Sequence, residues 1–256
     1  MMRIVLTALI FLQACTLSSE YKQADALVRE GKFHSAIEYY LSFVKENPDH
    51  ARAPLALLEV AKLQETILDD VDQAIATYRS LVHHYPINNS TVQAQEQLAK
   101  IFKNKKNDYN QALTEFDKLL RAVPSHENAP RFQLELSDCY TLLHQYEQAD
   151  LEYETLIELY PNYAELDEVF FKKANNNYIA GAYQKALDDF EKVIHGFPDS
   201  KYKIEALFGM GSAYEEIDEF EKAKKFYEQV KDHYPSPKVV EIRLQGLKNR
   251  KNNKKI

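Results

Sequence analysis

The chain has 256 residues, of which 45% are apolar and 28% are charged, a balance typical of a folded protein rather than a disordered one. Its formal net charge of −7 argues against nucleic-acid binding. Only 6 glycines are present, so a sheet-rich fold with many tight turns is disfavoured and helices are favoured.

The first segment is a short apolar run that ends at a cysteine. Arg3 is followed by the nine residues IVLTALIFL, too few to span a bilayer, which takes about 20 residues. One cation, a short apolar core and a small residue before the break are typical of an export signal. The sequence therefore predicts a signal peptide over residues 1–14.

Leu12, Ala14 and Cys15 resemble the lipobox of bacterial lipoproteins, although Gln13 is less usual at its place. This resemblance implies lipid attachment at Cys15, a short tether over residues 15–20, and location at the outer membrane with the rest of the chain facing the periplasm. Two alternatives remain for this segment: a plain cleaved signal with an incidental cysteine, or an uncleaved anchor.

The rest of the chain is built from a repeat of 37 or 38 residues, visible in three kinds of residue. Each unit has an alanine, an aromatic residue four positions later and a proline twelve positions after the alanine. The prolines are Pro48, Pro86, Pro124, Pro161, Pro198 and Pro235. The alanines are Ala36, Ala74, Ala112, Ala149, Ala186 and Ala223, and the aromatic residues are Tyr40, Tyr78, Phe116, Tyr153, Phe190 and Tyr227.

These spacings are typical of a helical hairpin. Small residues let two antiparallel helices approach closely, the aromatic residue lies on the same face one turn further, and the proline ends the second helix. A second small residue lies 12 or 13 positions before each alanine, at Ala24, Ala61, Ala99, Ser137, Ala174 and Gly211.

The repeated unit resembles the tetratricopeptide repeat (TPR) family, so we expect an all-α fold, an α-solenoid of about six TPR hairpins wound as a right-handed superhelix. A capping helix is predicted over residues 236–249, followed by a basic, disordered tail over 250–256. That tail either binds an acidic partner or lipid headgroups, or only aids solubility. The predicted repeats span 21–50, 51–88, 89–126, 127–163, 164–200 and 201–235.

Site chemistry is scarce in this sequence. Four of the eight histidines fall just before repeat prolines, where a cation suits the end of a helix, and no metal-binding or catalytic motif appears. Cys139 is expected to be buried packing, with a reactive thiol as the alternative. We therefore predict no enzyme activity, no metal and no cofactor.

In the TPR family the first helices line a concave face that holds peptides. The register of the repeat places six residues on that face as a candidate partner-binding groove: Leu134, Asp138, Phe171, Asn175, Tyr178 and Phe208. Aromatic residues that the repeat itself does not require are reasonable anchors for a partner. The alternative for Phe171 and Phe208 is packing between repeats.

The lipobox, the immediate start of the repeats and the long repeat together resemble the BamD-type TPR lipoproteins of the outer-membrane β-barrel assembly machine. The resemblance implies a lipid-anchored scaffold that binds other envelope proteins or peptides, with no nucleic acid or metal as a partner. That family carries five repeats where this chain shows six. The alternative function is an adaptor for another envelope machine, such as Tol–Pal-associated, pilus or secretin assembly, and an enzyme is the least favoured.

Overall fold

The computed structural model of the protein describes residues 20–253, and these residues contain helices and no strand. The predicted signal peptide and Cys15 lie outside the described residues. The first described helix, α1, covers residues 20–29. The others are α2 (Phe33–Glu46), α3 (Ala53–Thr66), α4 (Val71–His84), α5 (Asn89–Asn104), α6 (Tyr109–Ala122), α7 (Ala129–Leu142), α8 (Tyr146–Leu159), α9 (Leu166–Ile179), α10 (Tyr183–Gly196), α11 (Lys203–Glu216), α12 (Phe220–Val230) and α13 (Pro237–Asn253).

Odd and even helices pair as six successive hairpins over residues 20–235, so the predicted all-α array of TPR-like hairpins is confirmed. The two helices of a hairpin approach closely because the small residues of the repeat lie at their contact. All six repeat alanines are fully buried, and a Cβ atom added to Gly211 would lie 2.7 Å from the Tyr227 ring. Any larger residue at these positions would force the helices apart.

Each hairpin turns through one residue in the left-handed backbone conformation, which reverses the chain direction in few residues. Glycine adopts this conformation without strain, and short polar residues adopt it at a modest cost. These residues are Gly31, Asp69, Asn107, His144, Gly181 and Asp218. In some repeats a side-chain cap fixes the residue at which the second helix begins. For example, the Asp70 carboxylate accepts a hydrogen bond from the Gln73 backbone N–H at 3.1 Å.

The chain divides into two compact units, Met1–Pro124 and Ser125–Ile256. In the described part of the first unit, which contains α1 to α6, the helices α1, α2 and α3 enclose a core that includes Tyr40 and Phe43. In the second unit, α7 to α12 form three hairpins, and α13 packs against α12. Cys139 is buried in the second unit, as predicted.

The last helix is longer than its sequence predicts. α13 begins at Pro237 and continues to Asn253, so residues 250–253, which we expected to be disordered, are helical. One physical reason lies at Glu215 of α11, whose buried carboxylate is 3.6 Å from Arg243 Nη1 and 3.4 Å from Arg250 Nη1. Arg250 thus contributes a contact to the fold.

Candidate functional site

The first helices of the second unit contact one another in order, α7 with α9 and α9 with α11, and together they form one surface. We call this surface of α7, α9 and α11 the first-helix surface. All six residues of the predicted groove belong to these helices: Leu134, Asp138, Phe171, Asn175, Tyr178 and Phe208.

Leu134 is not part of an accessible groove, and its prediction as a partner contact is wrong. Its side chain is fully buried in a cluster with Tyr153, Leu156 and Val169. Val169 comes from α9, so the neighbouring repeat covers the Leu134 side chain. Its position therefore stabilises the stacking of repeats four and five.

Asp138 is mostly buried, and both of its carboxylate oxygens are engaged. Its Oδ1 accepts a hydrogen bond from the Tyr153 hydroxyl at 2.8 Å, and its Oδ2 lies 2.5 Å from Lys172 Nζ. Burial, together with the charge of Asp138, raises the pKa of Tyr153, so the phenol remains a donor. Asp138 thus joins α7 to both α8 and α9.

Phe171 and Phe208 each form a stacked aromatic pair, and both keep part of their side chains exposed. The Phe171 ring stacks on Tyr202 with centroids 4.8 Å apart, and the Phe208 ring stacks on Tyr234 with centroids 4.3 Å apart. Tyr202 precedes α11, and Tyr234 follows α12. The two phenylalanines therefore pack between repeats while still presenting aromatic surface to solvent.

Asn175 and Tyr178 lie one and two turns beyond Phe171 on α9. The Asn175 amide donates to the Phe171 backbone carbonyl at 2.9 Å, a contact within its own helix. The Tyr178 ring meets the Tyr183 ring edge-on, with centroids 5.6 Å apart. Burial and the negative charge of Glu216 raise the pKa of Tyr178. Both side chains are partly exposed, so both can contact a partner.

Charged residues on the same surface were missed by the sequence analysis. Arg131 Nη1 lies 3.4 Å from Glu168 Oε1, and Lys172 Nζ lies 3.4 Å from the same oxygen. Arg131 also approaches Glu135, at 3.1 Å. The signal was present in the register, because Arg131, Glu168 and Glu205 are each 37 residues apart. The spacing alone does not show which of these charged side chains form ion pairs with one another.

A second charged cluster lies in the interior of this unit and joins α8, α9 and α10. Lys173 Nζ lies 2.9 Å from both Asp150 Oδ1 and Asp189 Oδ2, and all three side chains are at least nine-tenths buried. Burial alone would raise the pKa of Asp150, but hydrogen bonds from Lys185 and Lys173 lower it. The cluster serves packing, since it lies away from solvent.

The described residues hold no group of three or more histidine, cysteine or acidic side chains suited to a metal ion. None of the described helices is both long and apolar enough to span a lipid bilayer.

Two family models match the chain. One, described as YfiO, outer membrane lipoprotein, matches residues 101–249, and the other, described as a tetratricopeptide repeat, matches residues 21–88. Repeat families of this fold are in general not enzymes. No curated protein sequence matches the chain.

Solved structures with similar folds are TPR-like proteins of low sequence identity. PilW, a widely conserved type IV pilus biogenesis factor, is 16% identical, with a TM-score of 0.58 over 91% of this chain and 98% of its own. YrrB, a TPR protein with an unusual peptide-binding site, is 21% identical, with a TM-score of 0.59 over 78% and 95%. BtubC from P. vanneervenii is 14% identical, with a TM-score of 0.58 over 87% and 92%. At these identities the similarity shows the fold alone.

Proposed function

The chain belongs to the YfiO family of outer membrane lipoproteins, and we propose that it is a lipid-anchored TPR scaffold that binds a partner polypeptide on its first-helix surface. The observation that carries this proposal is the overlap of two features. The family match covers residues 101–249, and the same stretch contains the partly exposed pairs Phe171–Tyr202 and Phe208–Tyr234.

Aromatic side chains held by stacking are good binding anchors because little conformational entropy is lost when a partner covers them. Both pairs are fixed at two points, one on a first helix and one in a segment between repeats. Asn175 and Tyr178 extend the same surface along α9. A peptide laid across α9 and α11 would contact all four of these features.

The finer role we propose is that of a BamD-like component of outer-membrane β-barrel assembly, anchored through lipid on Cys15 with the repeats facing the periplasm. The family supports the envelope location, and the lipobox residues support the anchor. Several acyl chains would hold the protein durably, because each buried methylene contributes about 0.8 kcal/mol. Only about five residues separate Cys15 from the first repeat, a reach of roughly 17 Å when extended.

Affinity capture of the lipidated, full-length protein from membranes tests this role. We expect recovery of a β-barrel assembly protein, whereas recovery of pilus, secretin or Tol components would exclude it and favour the alternative adaptor function. Cys15→Ala is the control for the anchor. If that variant remains membrane-bound after its signal is cleaved, the lipid anchor is wrong.

The same capture locates the binding surface. Asn175→Arg places a large cation on the first-helix surface, at a side chain that hydrogen-bonds to the Phe171 carbonyl within α9. We expect partner recovery to fall at least about tenfold. Leu151→Arg adds the same charge on α8, at a side chain that is 55% exposed, and serves as the matched control. Equal recovery with both variants would place the partner elsewhere.

A further inference from the structure

The first unit has two opposite edges, which are set by the alternating direction of its helices. First helices begin and second helices end at one edge, and the hairpin turns lie at the other. The first of these edges contains the start of α1, residues 47–52 between α2 and α3, and residues 85–88 between α4 and α5. We call these residues together the loop edge. The described part of the chain begins at this edge.

Side-chain contacts show that the start of α1 lies against the first of these segments. The Tyr21 ring meets the Phe43 ring edge-on, with centroids 5.7 Å apart, and the Arg52 guanidinium lies 5.2 Å from the centroid of the same Tyr21 ring. The two segments between repeats are also neighbours, because Pro48 of one and Pro86 of the other line the same surface pocket. The loop edge is therefore a continuous surface that starts at Tyr21.

The second segment of the loop edge presents an apolar side chain without any charge around it in the sequence. Ile87 is 64% exposed, more than any other large hydrophobic side chain among the described residues. Residues 85–90, with the sequence YPINNS, include no acidic or basic residue. The hairpin turn at the other end of α4 differs, since it contains Asp69, Asp70 and Asp72. Contact with lipid would cost that turn the hydration of three carboxylates, whereas the loop edge at Ile87 has no such cost.

The proposed lipid anchor lies close to this edge in the sequence. Only about five residues separate Cys15 from α1, a reach of roughly 17 Å when extended. Because α1 begins at the loop edge, the tether brings this edge to the membrane first. The hairpin turns lie a helix length further, about 21 Å for the 14 residues of α4. Of the two edges of the first unit, the uncharged one is thus the one nearest the anchor.

We propose that the loop edge of the first unit docks on the surface of the lipid bilayer and that the Ile87 side chain inserts at the boundary of headgroups and acyl chains. This inference rests on the proposed function, because it adds a second membrane contact to the lipid on Cys15. The lipid supplies durable attachment, and Ile87 with its uncharged neighbours sets the orientation. The helices of the first unit then point away from the membrane, and the hairpin turns face the periplasm.

The test measures whether a label at the loop edge enters the bilayer. Full-length, lipidated protein is reconstituted in vesicles of phosphatidylethanolamine and phosphatidylglycerol, with an environment-sensitive fluorophore attached through Ile87→Cys. Cys139 is buried, and Cys15 carries the lipid, so the fluorophore reacts with the new thiol. Interfacial side chains reach about 5–10 Å into the bilayer, so lipids spin-labelled at that depth should quench this fluorophore about twofold.

Ile67→Cys is the matched control, because Ile67 is also exposed, at 49%, and lies in the hairpin turn at the other end of α4. A fluorophore there should not be quenched. Equal quenching at both positions, or quenching at position 67 alone, would overturn the proposed orientation.

A second label tests the contribution of the Ile87 side chain itself. A fluorophore attached through Asn89→Cys, at the exposed first residue of α5, should be quenched as well. Adding Ile87→Glu should remove this quenching, because a carboxylate resists transfer out of water. The exposure of Ile87 means that this substitution leaves the core of the unit intact. Quenching that persists with Ile87→Glu would show that Ile87 does not insert.

Flotation of the same vesicles separates this inference from the proposed function. If the wild-type protein floats with the vesicles, Cys15→Ala does not, and the label at position 87 is not quenched, the lipid anchor stands and the docked edge is wrong. If the wild-type protein purified from membranes does not float, the proposed anchor fails and the docked edge fails with it.

Discussion

Repeats one, two, four and six differ from repeats three and five in how a polar contact joins their two helices. In the first group the repeat aromatic residue is a tyrosine whose buried hydroxyl donates to an acid on the first helix of the same repeat. The pairs are Tyr40–Asp25 (2.5 Å), Tyr78–Glu65 (3.0 Å), Tyr153–Asp138 (2.8 Å) and Tyr227–Glu215 (2.9 Å). Burial raises the pKa of all four phenols, which keeps each one a donor.

In repeats three and five the aromatic residue is Phe116 or Phe190, and a buried acid stands directly before it. Glu115 receives a hydrogen bond from Gln95 of α5, and Asp189 is 2.9 Å from Lys173 of α9. In repeats three and five the buried acid therefore lies on the second helix, whereas in the tyrosine-containing repeats it lies on the first. Repeat four has a contact of each kind, since Gln133 also donates to Glu152 at 2.8 Å.

This difference explains why repeat five differs from repeat four at the positions of the proposed binding surface. A tyrosine needs an acceptor on the first helix, so it commits a carboxylate such as Asp138 to the fold. Phe190 needs none, and the corresponding positions of α9 are Asn175 and Tyr178, which are partly exposed. Asn175 bonds within its own helix, and Tyr178 packs against Tyr183 of α10. Because Phe190 has no hydroxyl, neither of these two positions has to supply an acceptor for it.

We expect the largest effect from removing the buried ion pair of Lys173 with Asp189 in repeat five, where the repeat aromatic residue is Phe190. Lys173→Met leaves Asp150 and Asp189 buried without their shared cation, and we expect the free energy of unfolding to fall by about 3–5 kcal/mol in urea denaturation. Lys192→Met is the control, because Lys192 pairs with the same Asp189 at 3.0 Å but is 54% exposed. It should cost less than about 1 kcal/mol. Equal losses for both variants would contradict the buried contact.

A smaller effect on stability is expected when the phenylalanine of repeat three is replaced by the tyrosine that four other repeats have. Phe116→Tyr adds a hydroxyl to a fully buried ring in repeat three, whose first helix has Lys100 where repeats one and four have aspartate. We expect a loss of about 2 kcal/mol, the cost of a buried donor without an acceptor. Adding Lys100→Asp should recover part of it. A double-mutant cycle measures the coupling, and zero coupling would mean that the acid is not the determinant.

The repeat register predicts much of this architecture, because small residues, aromatics and prolines encode helix contacts directly. It does not predict accessibility. Leu134 occupies a first-helix position that looks open in one repeat, but Val169 of the next repeat covers it. The register also cannot separate Glu168 from Glu205, which occupy the same position. Only the structure shows that Arg131 and Lys172 reach the first and that Oε2 of the second has no donor.

We expect the smallest effect on stability from removing the hydrogen bond between the Tyr153 hydroxyl and Asp138. In Tyr153→Phe, Asp138 loses the hydroxyl and keeps Lys172 at 2.5 Å, so its carboxylate remains paired and the loss should be about 1 kcal/mol. Tyr146→Phe on the same helix is the matched control, because its hydroxyl bonds to His144 in an exposed position, and we expect almost no change. Urea denaturation of both variants distinguishes them. If Tyr153→Phe is as neutral as Tyr146→Phe, the hydroxyl does not stabilise the hairpin, and its presence in four repeats then reflects ring packing alone.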